Sequence, residues 1–354
     1  MHKAIRYIGS KQKVLPFLEE NLFKFLKNKD LFFDGFVGTG IVSQYVAETH
    51  PGVSISGSDI SPYSNILFKI LDIGKAFKNN NEINKLIEEF NNETLISSFI
   101  FNELSHNGNP KTLTESRNFF HEKSGKTIDT FKFFISKKLK NNQITSEQSN
   151  ILLYFLLAYS CKVANTTSVF GAFLKGEAKY IPLDNKFIEN ILNNLVEIKK
   201  LKNNSNFYLG NITNNLKQIP KQNLIYLDPP YSTRRYESNY HILNFIVDLN
   251  FKDTHIKVNS KTGQPKEIIE NAFSNKKKTK TIFSEMIKLG VDKSDLLGIS
   301  YNTDGIINQE WIESFCKEKN YKLETKKIIY KRFKSKIEIK NTKELEEILW
   351  LIKK

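Results

Sequence analysis

Cysteine is almost missing from this chain: 354 residues hold two, Cys161 and Cys316. They lie far apart in apolar stretches with helical spacing, which excludes a disulfide framework and suits a reducing compartment. No apolar run approaches the roughly 20 residues that a membrane helix needs. The first seven residues, Met1 to Tyr7, hold no apolar stretch that could act as a secretion signal. The six histidines have no ligand spacing, so no metal is expected. Internal repeats are also missing. These absences leave a soluble, cytoplasmic chain, with room for a sizeable core and either one large domain plus an insertion or two domains. Acidic charge is also in deficit. The formal net charge is +15 at pH 7, which points toward a polyanion. An Asn/Lys/Ile bias runs throughout, so part of that excess is compositional.

What is present centres on residues 224 to 232, Leu-Ile-Tyr-Leu-Asp-Pro-Pro-Tyr-Ser. Four apolar, β-favouring residues predict a strand buried on both faces of a parallel sheet. Pro229 and Pro230 cannot donate ladder hydrogen bonds, so the strand stops there. A stiff loop at the carboxyl end of a strand is where open α/β sheets place ligands. Asp228 offers acceptor oxygens, Pro229 and Pro230 offer carbonyls without competing N–H groups, and Tyr231 offers a flat ring. Such a loop suits an aromatic amine. A turn that merely punctuates a sheet, with Tyr231 in the core, would read the same way on these nine residues alone.

The loop has company. Arg6-Tyr7-Ile8-Gly9-Ser10-Lys11 precedes an amphipathic run of Val14, Leu15, Phe17, Leu18, Leu22 and Phe25. Backbone N–H groups gathered there, with Lys11, could hold a carboxylate; an ordinary helix start is the competing account. Leu31 to Gly40 reads as a strand, a glycine-rich turn (Gly35, Gly38, Gly40) and the start of a helix. The glycine order is not that of the dinucleotide fingerprint. Val53 to Asp59 reads as a second strand ending in an acid, placed to take the hydroxyls of a ribose. Alternatively Asp59 caps the helix after Pro62. Both turns together favour an adenosyl pocket.

Residues 76 to 205 change character. Ile83, Leu86, Ile87 and Phe90 mark one helical face, and a long apolar stretch runs from Ile151 to Tyr159. The loop Ala164 to Gly176 carries amides, hydroxyls and aromatics; Asn165 and Thr166 could read base edges, or satisfy the loop itself. After the central motif, Arg234, Arg235 and Tyr240 form a polar and aromatic stretch of substrate-facing type. Lys252 to Lys280, with Lys276 and Lys277, is either a phosphate-binding flank or a solvated face. Leu296 to Asn302 predicts another strand, and residues 321 to 340 a terminal antiparallel hairpin carrying Arg332, Lys334 and Lys336.

In combination these residues resemble the Dam-type DNA adenine-N6 methyltransferases of bacterial restriction-modification systems. The resemblance rests on Lys11 in its motif, Phe36-x-Gly38-x-Gly40, the strand-ending Asp59 and Asp228-Pro229-Pro230-Tyr231, in that order. Ser300 to Gly305 and Tyr330 to Lys334 resemble further motifs of that branch. Gly35 stands where relatives often carry proline or leucine, which leaves the role of Asp34 open.

The resemblance implies an α/β, Rossmann-like S-adenosylmethionine-dependent methyltransferase sheet with a mainly helical target-recognition insertion. Residues 1–75 and 206–354 would form the methyltransferase domain around an insertion at 76–205. Tyr7, Lys11, Phe36, Gly38, Gly40, Asp59 and Asp228 would bind S-adenosylmethionine. Asp228, Pro229, Pro230 and Tyr231 would be catalytic, and Asn165, Thr166, Arg234, Arg235, Tyr240, Lys276 and Lys277 would meet double-stranded DNA. A cognate restriction endonuclease acting separately is the implied companion. Chemically, the Asp228 carboxylate and the Pro229 carbonyl would accept the two N–H groups of an adenine amine, localising its lone pair and stabilising the positive charge that grows there. The base would have to leave the duplex and stack, with Tyr231 as platform. Methylation of RNA adenine or of a protein amide, and a non-catalytic DNA-binding specificity subunit, are the rival readings.

Overall fold

The computed structural model describes residues 11–111, 117–167, 169–176, 178–199, 205–231, 237–250, 273, 276–330 and 345–354. Seven strands make one sheet: β1 (Leu31–Asp34), β2 (Ser54–Asp59), β3 (Asn206–Leu209), β4 (Gln222–Leu227), β5 (Ser294–Asn302), β6 (Lys322–Tyr330) and β7 (Leu345–Lys353). Their order is β3-β2-β1-β4-β5-β7-β6. The first five are parallel, and β7 runs antiparallel to both β5 and β6. The expected strands at 31–34, 53–59, 224–227 and 296–302 are all present.

Alternation along the strands divides the core between the two faces. Leu224 and Tyr226 of β4 join Phe32, Ile55, Leu349 and Leu351 on one side. Ile225 and Leu227 join Phe33, Leu297, Ile299, Trp350 and Ile352 on the other. A strand covered on both faces needs apolar residues in succession, which is why Leu224 to Leu227 read as a continuous run. Strand order reverses between β1 and β4, so the chain leaves the two strands in opposite directions and opens a crevice at their carboxyl ends.

The terminal hairpin departs from the expectation. Its arms are β6 and β7, paired from Lys322↔Lys353 to Tyr330↔Leu345, so the second arm lies well beyond residue 340. Arg332, Lys334 and Lys336 lie outside the described residues. The alternating pattern of 321–330 marks the exposed edge strand. The buried arm, Leu345-Glu-Glu-Ile-Leu-Trp-Leu-Ile-Lys, is covered on both faces and alternates less.

Between β2 and β3 the described chain is helical, including Asn80–Asn91, Phe99–Leu104, Glu122–Lys140, Ser146–Val163 and Asn185–Asn193. Local chemistry sets several starts. Thr145 and Gln148 form a reciprocal capping box. Asn79 and Asp184 accept from the backbone N–H three residues on. Ser146–Val163 is apolar nearly all round and is buried along most of its length, as a central helix must be. Asp129 gathers the N–H groups of Ser98, Ile100 and Phe101, holding the chain where it enters Phe99–Leu104. The buried Lys132 ammonium donates to the Phe245 carbonyl at 2.6 Å, tying this helical layer to the helix Glu237–Val247 that follows the Asp-Pro-Pro-Tyr loop.

Candidate active site

Three acids stand at the carboxyl ends of three neighbouring parallel strands: Asp59 on β2, Asp34 on β1 and Asp228 just past β4. Register brings them together, since Asp34 pairs with Gly57 on one side and Tyr226 on the other. Close packing tightens the crevice. Gly35 donates to the Tyr226 carbonyl at 2.8 Å, and a Cβ at Gly35 would lie 2.2 Å from Leu227 Cδ2. That contact accounts for glycine at this position.

The glycine turn runs from β1 into the helix Ile41–Thr49. Gly40 sits at φ +73°, a left-handed conformation that glycine adopts without a Cβ penalty. Gly38 N–H donates to Asp59 Oδ2 at 2.8 Å, and Ser61 N–H donates to Oδ1 at 2.9 Å. Asp59 therefore fastens the turn to the end of β2, besides the local bond across Ser61. Burial raises its pKa, opposed by those backbone bonds.

Asp34 is 1% exposed. Ser43 Oγ donates to its Oδ2 at 2.6 Å, while Oδ1 lacks a hydrogen bond of ordinary geometry. Burial pushes this carboxyl up to about 7; the Ser43 hydroxyl and the Phe36 N–H oppose the rise, and Asp228 and Asp59 add to it. A buried, half-satisfied acid beside a glycine turn is matched to a cationic group. Phe36 is half-buried, edge-on to Phe273 at 5.6 Å.

Asp228 shares Lys11 with a residue that sequence reasoning missed. Lys11 Nζ lies 2.9 Å from Asp228 Oδ1 and 2.5 Å from Glu347 Oε1. Burial lowers the Lys11 pKa, but the carboxylates on either side outweigh it and hold the ammonium well above its usual value. Asp228 titrates at about 6: burial raises it, Lys11 lowers it and Glu347 raises it. Its side chain keeps 21% exposure, whereas Glu347 keeps 1%. Sequence alone leaves Lys11 either beside a ligand carboxylate or in solvent at an ordinary helix start; the structure sets its ammonium between two carboxylates of the protein. Glu347 reaches the site because β7 runs backwards, so its first residues lie beside the last residues of β5, with Glu347 opposite Asn302. The signal was an acid two residues before Leu349 and four before Leu351, in phase with a buried face.

Pro229 is buried and Pro230 half-buried. Tyr231 is also half-buried, its ring edge-on to Tyr301 at 6.4 Å, and Tyr301 stacks on Trp350. The loop thus carries a partly exposed ring on a rigid aromatic base. Tyr7, Arg234 and Arg235 lie outside the described residues, as do the side chains of Lys276 and Lys277, whose backbone begins the helix Lys276–Lys293.

The residues expected to read DNA are placed differently from one another. Asn165 Nδ2 donates to the carbonyls of Asn118, Leu174 and Gly176 at 2.7–3.0 Å, so this amide staples its own loop. Thr166 beside it is half-buried. Tyr240 needs correction. It is 2% exposed and packs against Tyr63, with no face left for a DNA strand, because its position on Glu237–Val247 points into the core. The exposed aromatic and apolar side chains of this region are Phe173, Leu174 and Tyr180.

Among the described residues no group of three or more histidine, cysteine, aspartate or glutamate side chains is placed to hold a metal, and no helix is long and apolar enough to cross a membrane. Comparison with known proteins returns a family described as D12 class N6 adenine-specific DNA methyltransferase, matching residues 7–315. Modification methylase StsI of Streptococcus sanguinis is 26% identical over 99% of this chain and 52% of its own length. Type II methyltransferase M.FokI of Planomicrobium okeanokoites is 27% identical over 99% and 53%. Type II methyltransferase M.NlaIII of Neisseria lactamica is 28% identical over 96% of each. The chain spans about half the length of the first two relatives and nearly all of the third.

Proposed function

The chain belongs to the D12 class N6 adenine-specific DNA methyltransferase family, and from that premise we propose that it methylates N6 of a flipped-out adenine at a specific duplex DNA site. S-adenosylmethionine, when bound, supplies the methyl group as a sulfonium. The residues present fit it. The unsatisfied Asp34 Oδ1 suits its ammonium, and the glycine turn at Gly38 and Gly40 admits a ligand close to the backbone. Asp59, held at the end of β2 by the N–H groups of Gly38 and Ser61, would take the ribose hydroxyls on its remaining lone pairs. Tyr7 and Phe36 complete the proposed cofactor set.

The observation that carries the proposal is the placing of Asp228-Pro229-Pro230-Tyr231 at the strand-order reversal, one strand away from Asp34 and the glycine turn. Lys11 occupies Asp228 Oδ1, and the Asp228 side chain as a whole keeps 21% exposure. It would accept one N–H of the adenine amine while the Pro229 carbonyl accepts the other. Both bonds strengthen as positive charge grows on nitrogen, which is where electrostatic preorganisation acts. Holding donor and acceptor together can contribute on the order of 7–11 kcal/mol. Tyr231 offers its ring to the extruded base.

DNA recognition is assigned to 76–205, with 1–75 and 206–354 as the methyltransferase domain. The capped, layered helices between β2 and β3 support that division. Within it Asn165 shapes the 164–176 loop, so contact with DNA would fall to Thr166 and the exposed loop side chains. Arg234, Arg235, Lys276 and Lys277 remain the proposed phosphate partners. The names of the relatives favour a modification enzyme of a type II system, whose nuclease would be a separate chain.

The test is methyl transfer from labelled S-adenosylmethionine to duplex DNA, RNA and protein in parallel, followed by sequencing for N6-methyladenine. Label in duplex DNA at one short sequence is expected. Label confined to RNA or protein would overturn the proposal.

A further inference from the structure

We propose that Glu347 is a positioning residue for methyl transfer, acting on Asp228 through Lys11. The proposal rests on the assignment of Asp228 as the acid that grips the amine. Geometry carries it. Three charged side chains form one buried chain, Glu347 Oε1 to Lys11 Nζ at 2.5 Å and Lys11 Nζ to Asp228 Oδ1 at 2.9 Å. Glu347 and Lys11 are 1% and 8% exposed, and Asp228 alone reaches solvent, at 21%. Taken alone, a buried Lys11–Asp228 pair would be neutral, and the ammonium would compete directly with the substrate's N–H groups for the carboxylate.

Glu347 changes both facts. It pulls the ammonium partly onto itself, so that one cation is divided between two anions. It also leaves the cluster with a net charge of −1 at the point where the attacking nitrogen becomes positive. In a water-poor site that charge stabilises the transition state more than the neutral substrate. The groups that face Asp228 among the described residues are Lys11 from the turn before the first helix, Glu347 from β7, Asp34 from β1, and Tyr226 on its own strand. Of these, Glu347 is held in place by strand pairing on both sides, through Asn302 on β5 and Ile328 on β6. It is therefore a fixed anchor from which Lys11 can be positioned.

The experiment uses the full chain and measures kcat and kcat/KM across pH for the parent, Glu347→Gln and Glu347→Asp, with Asp228→Ala as control and S-adenosylmethionine affinity by calorimetry. In Glu347→Gln the cluster loses its net charge and Lys11 settles on Asp228. The expected results are a kcat lower by roughly tenfold or more and little change in S-adenosylmethionine affinity. Removing a neighbouring negative charge also lowers the Asp228 pKa, so the acid limb of kcat/KM moves to lower pH, by about one unit. In Glu347→Asp the charge remains but the arm is shorter, so the limb stays while kcat falls less. A parental kcat and limb in Glu347→Gln would overturn the proposal. So would a loss of thermal stability with the limb unmoved, since a purely structural role leaves the pH profile alone. If Glu347→Gln does not fold, Glu347→Asp decides, and an unchanged kcat there overturns it. Full activity in Asp228→Ala would instead refute the assignment of the grip itself.

Discussion

At the scale of single residues, the site depends on which carboxylates hold a proton. Asp228 with a pKa of about 6 is charged at neutral pH, so methylation is expected to fall as pH drops through about 6, seen as the acid limb of kcat/KM. Asp228→Ala should remove measurable methylation while weakening S-adenosylmethionine binding far less, by calorimetry. Asp34 behaves differently. Its folded value of about 7 lies above its ordinary 3.8, so the native state holds the proton between those limits. The contribution of Asp34 to stability is fully present below about 4 and is lost as pH rises through 7. Asp34→Asn should therefore unfold at higher denaturant concentration than the parent at pH 8, with the gain fading toward pH 4, and should weaken S-adenosylmethionine binding. Asp34 and Asp228 stand out in the sequence because each ends a short apolar run, and Asp59 because it ends an alternating one, although sequence alone leaves the role of Asp34 open. Glu347 does not stand out, because its significance comes from a lysine 336 residues away, and no local pattern carries a separation of that length.

Elements were legible in proportion to how local their determinants are. β1, β4 and β5 announce themselves by apolar runs ending in polar residues, β2 by an alternating stretch ending in an acid, and the glycine turn by spacing. The Gly35 contact with Leu227 needed the β1–β4 register to be understood. The final hairpin was half seen: edge strand β6 alternates, as one exposed face demands, while β7 is covered on both sides and reads like any buried stretch. Tyr240 was misplaced for a related reason, since a tyrosine near a polar loop looks substrate-facing until its helix is docked. In the helical layer, the Thr145–Gln148 box starts a helix that is buried along most of its length. Thr145→Ala is expected to lower stability by about 1 kcal/mol in chemical denaturation, with the parental kcat retained.

For the whole molecule the +15 charge has a direct consequence. DNA affinity should fall steeply and log-linearly with salt as counterion release weakens, whereas S-adenosylmethionine affinity should barely respond. Binding assays between low and physiological salt measure both slopes; a flat DNA slope would show that the basic residues are not spent on phosphates.

The placing of β7 between β5 and β6 also bears on biosynthesis. A nascent polypeptide displays the glycine turn and the Asp-Pro-Pro-Tyr loop long before residue 347 is made, yet the second carboxylate beside Lys11 arrives only with that strand. Fragments that stop short of it, whether from premature release or proteolysis, would carry every recognisable signature of the enzyme and modify little. On the proposed role of Glu347, competence for methyl transfer would thus wait until the sheet's interior strand has been threaded into place.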